Sequence, residues 1–262
     1  MDLELIKRLA VAAAYKGARA IMPFYGRLSK INKKGAIDLV TEADTESEKI
    51  IIETIKAVFP EHSILAEESG LNNGDSEGKW IIDPLDGTTN FTHQLGLFAV
   101  SIGFALNGEV VVGVVLNPVT GELFTAIKDR GAALNGKPIK VSNINKVSES
   151  LLVTGFPYNH KTIFKALMSR FSACLKASQG VRRLGSAALD LCFVSCGRFE
   201  GFWEQNLNPW DTAAGALIAQ EAGAVITDFS NRPFDIYQKE ILATNGKTHQ
   251  EMLSLLELKN TL

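Results

Sequence analysis

The stretch Trp80-Ile81-Ile82-Asp83-Pro84-Leu85-Asp86-Gly87 constrains the fold more than any other. Its apolar start reads as a buried strand. It ends in two carboxylates three positions apart, and no Lys or Arg occurs between Trp80 and Lys128. A buried carboxylate without a counter-charge is costly. The strand is therefore expected inside the fold, with its charged tip where a cation can compensate it.

Around this strand the chain reads as layered α and β structure. A first amphipathic helix is expected from about Asp2 to Tyr25, with Ile6, Leu9, Ala10, Ala13, Gly17 and Ile21 at helical spacing. A second is expected from near Asp44, capped by Thr41 or Asp44, carrying Ile51, Ile52, Ile55, Val58 and Phe59 inward and stopping at Pro60. The segment Ser63–Ser69 reads as a strand ending in Glu67 and Glu68. From Phe98 to Val141, strands alternate with turn dipeptides such as Asn107-Gly108 and Asn135-Gly136, which predicts an antiparallel meander. The second half alternates: strands near 150–156, 199–204, 224–229 and 241–245, and helices at 160–178, 186–196, 210–222 and from Lys247 onward. The expected class is α+β or α/β, with a largely antiparallel N-terminal sheet and a second, C-terminal α/β layer. No linker, repeat or low-complexity tract breaks the chain. Residues 1–262 are expected to form one domain, with approximate halves 1–145 and 146–262.

Composition excludes several function classes. The net charge of −2 gives no bulk attraction to nucleic acid or to an anionic membrane, so neither is expected as a partner. The most apolar stretch, 110–116, is too short to span a bilayer. Lys7, Arg8 and Lys16 break up the N-terminus, which does not read as a signal peptide. Cys174, Cys192 and Cys196 form no disulfide framework and are expected as packed thiols, consistent with a cytoplasmic location.

Three acidic groups fall at element ends: Glu67-Glu68, Asp83/Asp86, and Asp211 behind Trp210. Each alone has an ordinary explanation as a solvated turn, a strand-end charge or a helix-start acid. Together, with no His or Cys beside them, they suit a hard cation, Mg²⁺ rather than Zn²⁺. Gly87 allows a close backbone approach. Thr88-Thr89-Asn90 can cap a short helix whose free N–H groups receive an anion. Metals beside such a helix end make a phosphate site. The P-loop, dinucleotide-binding, zincin and nucleophile-elbow patterns are absent. His62, His93, His160 and His249 are read as structural or solvated. Arg182 and Arg183 are read as phosphate contacts or surface ion pairs.

These motifs resemble a known family. Residues 83–91 (DPLDGTTNF), 66–69 (AEES), 38–44 (DLVTEAD), 182–197 (RRLGSAALDLCFVSCG) and 209–224 (PWDTAAGALIAQEAGA) resemble, in order, the inositol monophosphatase family of Mg²⁺-dependent, lithium-sensitive phosphatases. The resemblance covers essentially the whole chain. It implies a layered αβαβα sandwich, usually a homodimer, and two to three Mg²⁺ ions per site. Glu67, Asp83 and the carbonyl of Leu85 would hold one ion. Asp86 and Asp211 would share a second with Asp83, and Glu67 would reach a third, weaker one. Asp44 and Thr88 would orient and deprotonate the attacking water. The N–H groups of Gly87 and Thr88 would hold the phosphate. Gly185, Ser186, Ala187 and Glu204 occupy positions that contact the substrate's ring hydroxyls.

The expected function is hydrolysis of inositol 1-phosphate, a small phosphorylated polyol. Related family members act on fructose 1,6-bisphosphate, histidinol phosphate or nucleotide 3′-phosphates, so a sugar bisphosphatase is the alternative among enzymes. A metal-stabilised regulatory protein is the alternative outside them.

Overall fold

Asp2 starts the first helix by accepting hydrogen bonds from the N–H groups of Glu4 and Leu5 at 2.9 and 3.2 Å. The computed structural model describes residues 1–26, 31–33, 39–157 and 160–258, with the backbone alone for 31–33 and 39–41. Helix α1 (Leu3–Ile21) buries Ile6, Ala10, Ala13, Gly17 and Ile21 at the expected spacing. It stops short of Tyr25 because Pro23 enters a 3₁₀ turn at Met22–Phe24. Two short strands, β1 (Ile31–Lys33) and β2 (Leu39–Thr41), pair antiparallel and have no counterpart in the sequence reading. Helix α2 (Glu42–Lys56) begins before Asp44. Asp44 is therefore not its cap but a buried member of its first turn; the side chain of Thr41 lies outside the described residues. Because α2 ends at Lys56, Val58 lies beyond it and is 49% exposed rather than inward.

The first sheet holds β3 (Ser63–Ala66), β4 (Gly70–Asn72), β5 (Gly78–Asp86), β6 (Ala99–Leu106), β7 (Glu109–Asn117), β8 (Glu122–Ile127), β9 (Ala132–Leu134) and β10 (Lys137–Pro138), with helix α3 (Thr88–Thr92) between β5 and β6. Their spatial order is β10-β9-β8-β7-β6-β5-β3-β4. All neighbours are antiparallel except β3 and β5. The second sheet holds β11 (Leu151–Thr154), β12 (Gly180–Arg182), β13 (Gly201–Gln205), β14 (Val225–Thr227) and β15 (Glu240–Thr244), in the order β12-β11-β13-β15-β14. Strand β11 runs parallel to both its neighbours. Its helices are α4 (Phe164–Ala177), α5 (Ala187–Ser195), α6 (Pro209–Glu221) and α7 (His249–Leu256).

Helices α1 and α2 cover one face of the first sheet, α5 and α6 lie between the sheets, and α4 and α7 cover the outer face of the second. The layers thus run αβαβα. Every residue of α5 is buried, as are Thr212 to Ala219 of α6. Helices apolar all round need cover on both sides, which is what two sheets supply. Gly103 of β6 and Gly113 of β7 are directly paired. A Cβ at Gly103 would stand 3.0 Å from Ala213 Cβ, and one at Gly113 would stand 2.6 Å from Ala214 O. Helix α6 therefore rests on bare backbone, and its first turn, with Asp211, reaches the cleft at the end of β5. Among the described residues no helix is long and apolar enough to cross a membrane.

Candidate active site

Strand β5 carries its apolar residues straight through the first sheet and then breaks register with β6 between Asp83 and Asp86. Pro84 sits in that irregularity, where the missing N–H does no harm. The break aims both carboxylates into a cleft of about 540 Å³. Glu67, Asp83, Leu85, Asp86, Gly87 and Thr88 line it from the first half of the chain. Gly185, Ser186, Ala187, Glu204 and Asp211 line it from the second. Asp44, itself 1% exposed, meets the site through Thr88, whose Oγ lies 3.3 Å from Asp44 Oδ1 and 3.2 Å from the Leu85 carbonyl. The residues expected to hold metal, water and substrate thus come to one place, whereas Glu68 and Arg182 stay outside the cleft lining.

The carboxylates strain one another. Burial raises the pKa of Asp83 well above the usual carboxylate range, and Glu67, Asp86 and Asp211 add to that; the Leu85 N–H, donating to Asp83 Oδ1 at 3.0 Å, opposes it. Asp86 is pushed up to about 6 by burial, against hydrogen bonds from Ser186 and the start of α5 and the charge of Arg183. Glu204 is pushed up to about 8 by burial and by Asp211, with Arg183 again opposing. Among the described residues no three His, Cys, Asp or Glu side chains are drawn together tightly enough to form a ready ligand set. The donor chemistry nevertheless fits a hard cation: the three groups acting on Asp83 are all carboxylates, and positive charge among them would relieve the crowding.

Gly87 turns the chain from β5 into α3 at φ +93°. A Cβ there would meet Leu97 O at 3.0 Å and Gly185 O at 3.3 Å, so glycine is required by both conformation and space. Thr88, Thr89 and Asn90 do not cap α3, as the sequence suggested; all three lie within the helix, and Gly87 precedes it as the cap. Asn90 Nδ2 donates to Leu97 O at 2.6 Å and to Leu184 O at 2.8 Å, which ties the two halves of the chain together.

Several residues do something other than the sequence suggested. Ser186, expected at the substrate's hydroxyls, caps α5 and donates to Asp86 Oδ2 at 2.5 Å; Ala188 N–H joins it at 2.8 Å. Asp211 Oδ2 accepts from the N–H of Asn208 at 2.6 Å, so one oxygen also steadies the start of α6. Glu68 lies outside the lining, and its N–H donates to Glu48, a buried residue of α2 that sequence reasoning passed over. Arg183 borders the cleft whereas Arg182 does not. His62 is structural: it stacks on Phe59 at 4.4 Å and takes the Trp80 indole N–H at 3.0 Å. His249 bonds Thr227 and Thr244. His160, however, lines the cleft. Asp190 is buried in α5 with neither carboxyl oxygen hydrogen-bonded among the described residues, and burial, with Glu204 and Asp86 nearby, raises its pKa well above the usual range. Its signal in the sequence is a lone acid inside an otherwise apolar helix. All three cysteines are free, as expected.

A crowded acidic pocket beside a glycine-initiated helix and a buried Asp–Thr pair suits cation and phosphate binding. The chain matches the inositol monophosphatase family over residues 2–259 and belongs to it. It is 46% identical over 257 residues to an inositol-1-monophosphatase of Synechocystis sp., covering 97% of this chain and 90% of that one. It is also 46% identical over 242 residues to a Vibrio cholerae protein named Nus factor SuhB, covering 91% of each. The solved inositol monophosphatase of Anabaena superposes with a TM-score of 0.89 at 42% identity, over 98% of this chain and 96% of that one.

Proposed function

We propose that this phosphatase is a Mg²⁺-dependent phosphomonoesterase acting on inositol 1-phosphate, with two to three ions per site. The convergence of Glu67, Asp83, Asp86 and Asp211 on one cleft, from positions up to 144 residues apart, carries the proposal. Glu67, Asp83, Asp86, Asp211 and the Leu85 carbonyl would hold the ions, which when bound lower the pKa of water and neutralise charge on the phosphate and leaving oxygen. Asp44 and Thr88 orient the attacking water, and the Asp44 carboxylate, next to the Thr88 hydroxyl, takes up its proton. The first N–H groups of α3 face the phosphate oxygens. Glu204 holds polyol hydroxyls in either protonation state: ionised it accepts two, protonated it donates one hydrogen bond and accepts another. Names of relatives in Synechocystis sp. and Caulobacter vibrioides support this substrate.

Phosphate release from inositol 1-phosphate, measured with Mg²⁺ and again with excess EDTA, tests the proposal. Activity is expected only with Mg²⁺; equal rates in both would overturn it. Arg183 on the cleft wall favours a second reading, a sugar bisphosphate whose second phosphate meets that cation. Fructose 1,6-bisphosphate in the same assay decides between them by kcat/KM. The relative named as a Nus factor raises a regulatory role, but an interaction surface has no need of the Asp44–Thr88 contact.

A further inference from the structure

Strands β11 and β13 run parallel, with Thr154 paired to Trp203 and the Thr154 hydroxyl donating to Trp203 O at 2.7 Å. One residue further on, Gly155 has left β11 while Glu204 is still paired with Ile241 in β13, and both line the cleft. A Cβ built on Gly155 would lie 2.0 Å from Glu204 Oε2, 2.2 Å from Cδ and 2.3 Å from Oε1. The carboxyl group therefore occupies the volume that any side chain at 155 would take. Gly155 is not among the glycines at positive φ, so its backbone is one that other residues adopt. Conformation does not require glycine here; a side chain would instead have to push the end of the Glu204 side chain aside. Glu204 is only 7% exposed. Among the described residues no hydrogen-bond donor reaches its carboxyl group, and packing over Gly155 sets where it stands.

We propose that Gly155 is the specificity-positioning residue of the cleft: its missing side chain seats the Glu204 carboxyl group at the depth where a polyol's hydroxyls meet it. This rests on the assignment of Glu204 as the hydroxyl contact. A methyl group at 155 displaces that carboxyl group by more than a hydrogen bond tolerates, since the 2.0 Å approach is well inside van der Waals contact. The metal-facing carboxylates, Thr88 and Asp44 stand on other elements and keep their places.

The test is a double-mutant cycle of Gly155→Ala and Glu204→Ala, read with inositol 1-phosphate, with p-nitrophenyl phosphate, which has no polyol, and by thermal melting. Gly155→Ala is expected to lower the ratio of kcat/KM for inositol 1-phosphate to that for the aryl phosphate by about tenfold or more. On the Glu204→Ala background the same change should move the ratio no further. Its Tm penalty should also shrink there, because the methyl group enters the vacated space. Losses that are equal on the two substrates, or additive across the cycle, would overturn the proposal. A Tm coupling with no effect of Glu204→Ala on the ratio would leave the contact standing. It would refute the hydroxyl assignment of Glu204, and the specificity role of Gly155 with it.

Discussion

The two walls of the cleft are built differently. On one, Asp83, Asp86, Gly87 and Thr88 fall within six consecutive residues at the end of β5 and the start of α3. Side-chain hydrogen bonds hold them: Leu85 N–H to Asp83, Ser186 and Ala188 to Asp86, and Thr88 to Asp44. On the other wall, Gly155, Ala187 and Glu204 come from three separate elements, and Glu204 is placed by packing. Four of the residues proposed for phosphate chemistry thus lie in one short segment, joined there by Asp44, Glu67 and Asp211 from elsewhere in the chain. The residues proposed to discriminate between substrates come instead from separate parts of the second half.

If the first wall carries chemistry and the second carries choice, mutations should sort accordingly. The largest loss is expected for Asp83→Asn: roughly a thousandfold or more in kcat on every phosphate monoester, because it removes a ligand shared by the proposed ions. Steady-state phosphate release on two unrelated substrates checks this; a substrate-dependent loss would erase the distinction. Asp44→Asn should lower kcat on the order of 10²–10⁴-fold with KM little changed. Unchanged kcat would reduce Asp44 to a structural acid of α2. Glu204→Ala should lower kcat/KM for inositol 1-phosphate by roughly 10–150-fold and affect an aryl phosphate less. Equal losses would move Glu204 onto the first wall.

Two further changes bear on stability. Asn90→Ala removes hydrogen bonds to two carbonyls, one from each half of the chain. It should cost about 1–3 kcal/mol in denaturant unfolding, with activity falling less than for any change above. The smallest effect, and one of opposite sign, is expected at Asp190. Its pKa is raised in the folded state. Below the ordinary carboxylate pKa both states are protonated and the group is neutral to stability. Above it the unfolded chain ionises first, so stability declines as pH rises toward the folded-state value. Asp190→Asn removes that decline. Melting curves should show a gain in Tm near about pH 8 that fades toward about pH 4; a gain independent of pH would refute the account.

The contrast between the walls also explains what could be read from the sequence. The apolar run into Asp83 and the turn residues after it are local signals, so β5, its charged tip and the start of α3 were accessible. So was the layering, because α5 and α6 lack a polar face. Gly155 was not: in the sequence it is one glycine after a strand, and only the folded pairing with Glu204 shows what it makes room for. The bond from Ser186 to Asp86 is hidden for a related reason, since nothing local reveals that Asp86 lies within reach of its hydroxyl. The start of α2 is ambiguous in the sequence because Thr41 and Asp44 are both good cap residues, and the helix begins at Glu42, directly after the first of them. Strand β12 is three residues long, too short to register against the background of a loop.

The Asn90 amide bears on how relatives of this chain could be recombined. It grips a carbonyl at Leu97 and another at Leu184, and so sets the spacing of the walls with one planar group. A chimera that grafts a foreign second half onto this first half must supply an acid in place of Asp211 and a hydroxyl in place of Ser186, and it aligns the graft only if a carbonyl arrives where that of Leu184 now sits. The tolerance of such exchanges is therefore set at the Leu184-Gly185 turn, where the backbone must keep both its path and the glycine conformation at φ +93°.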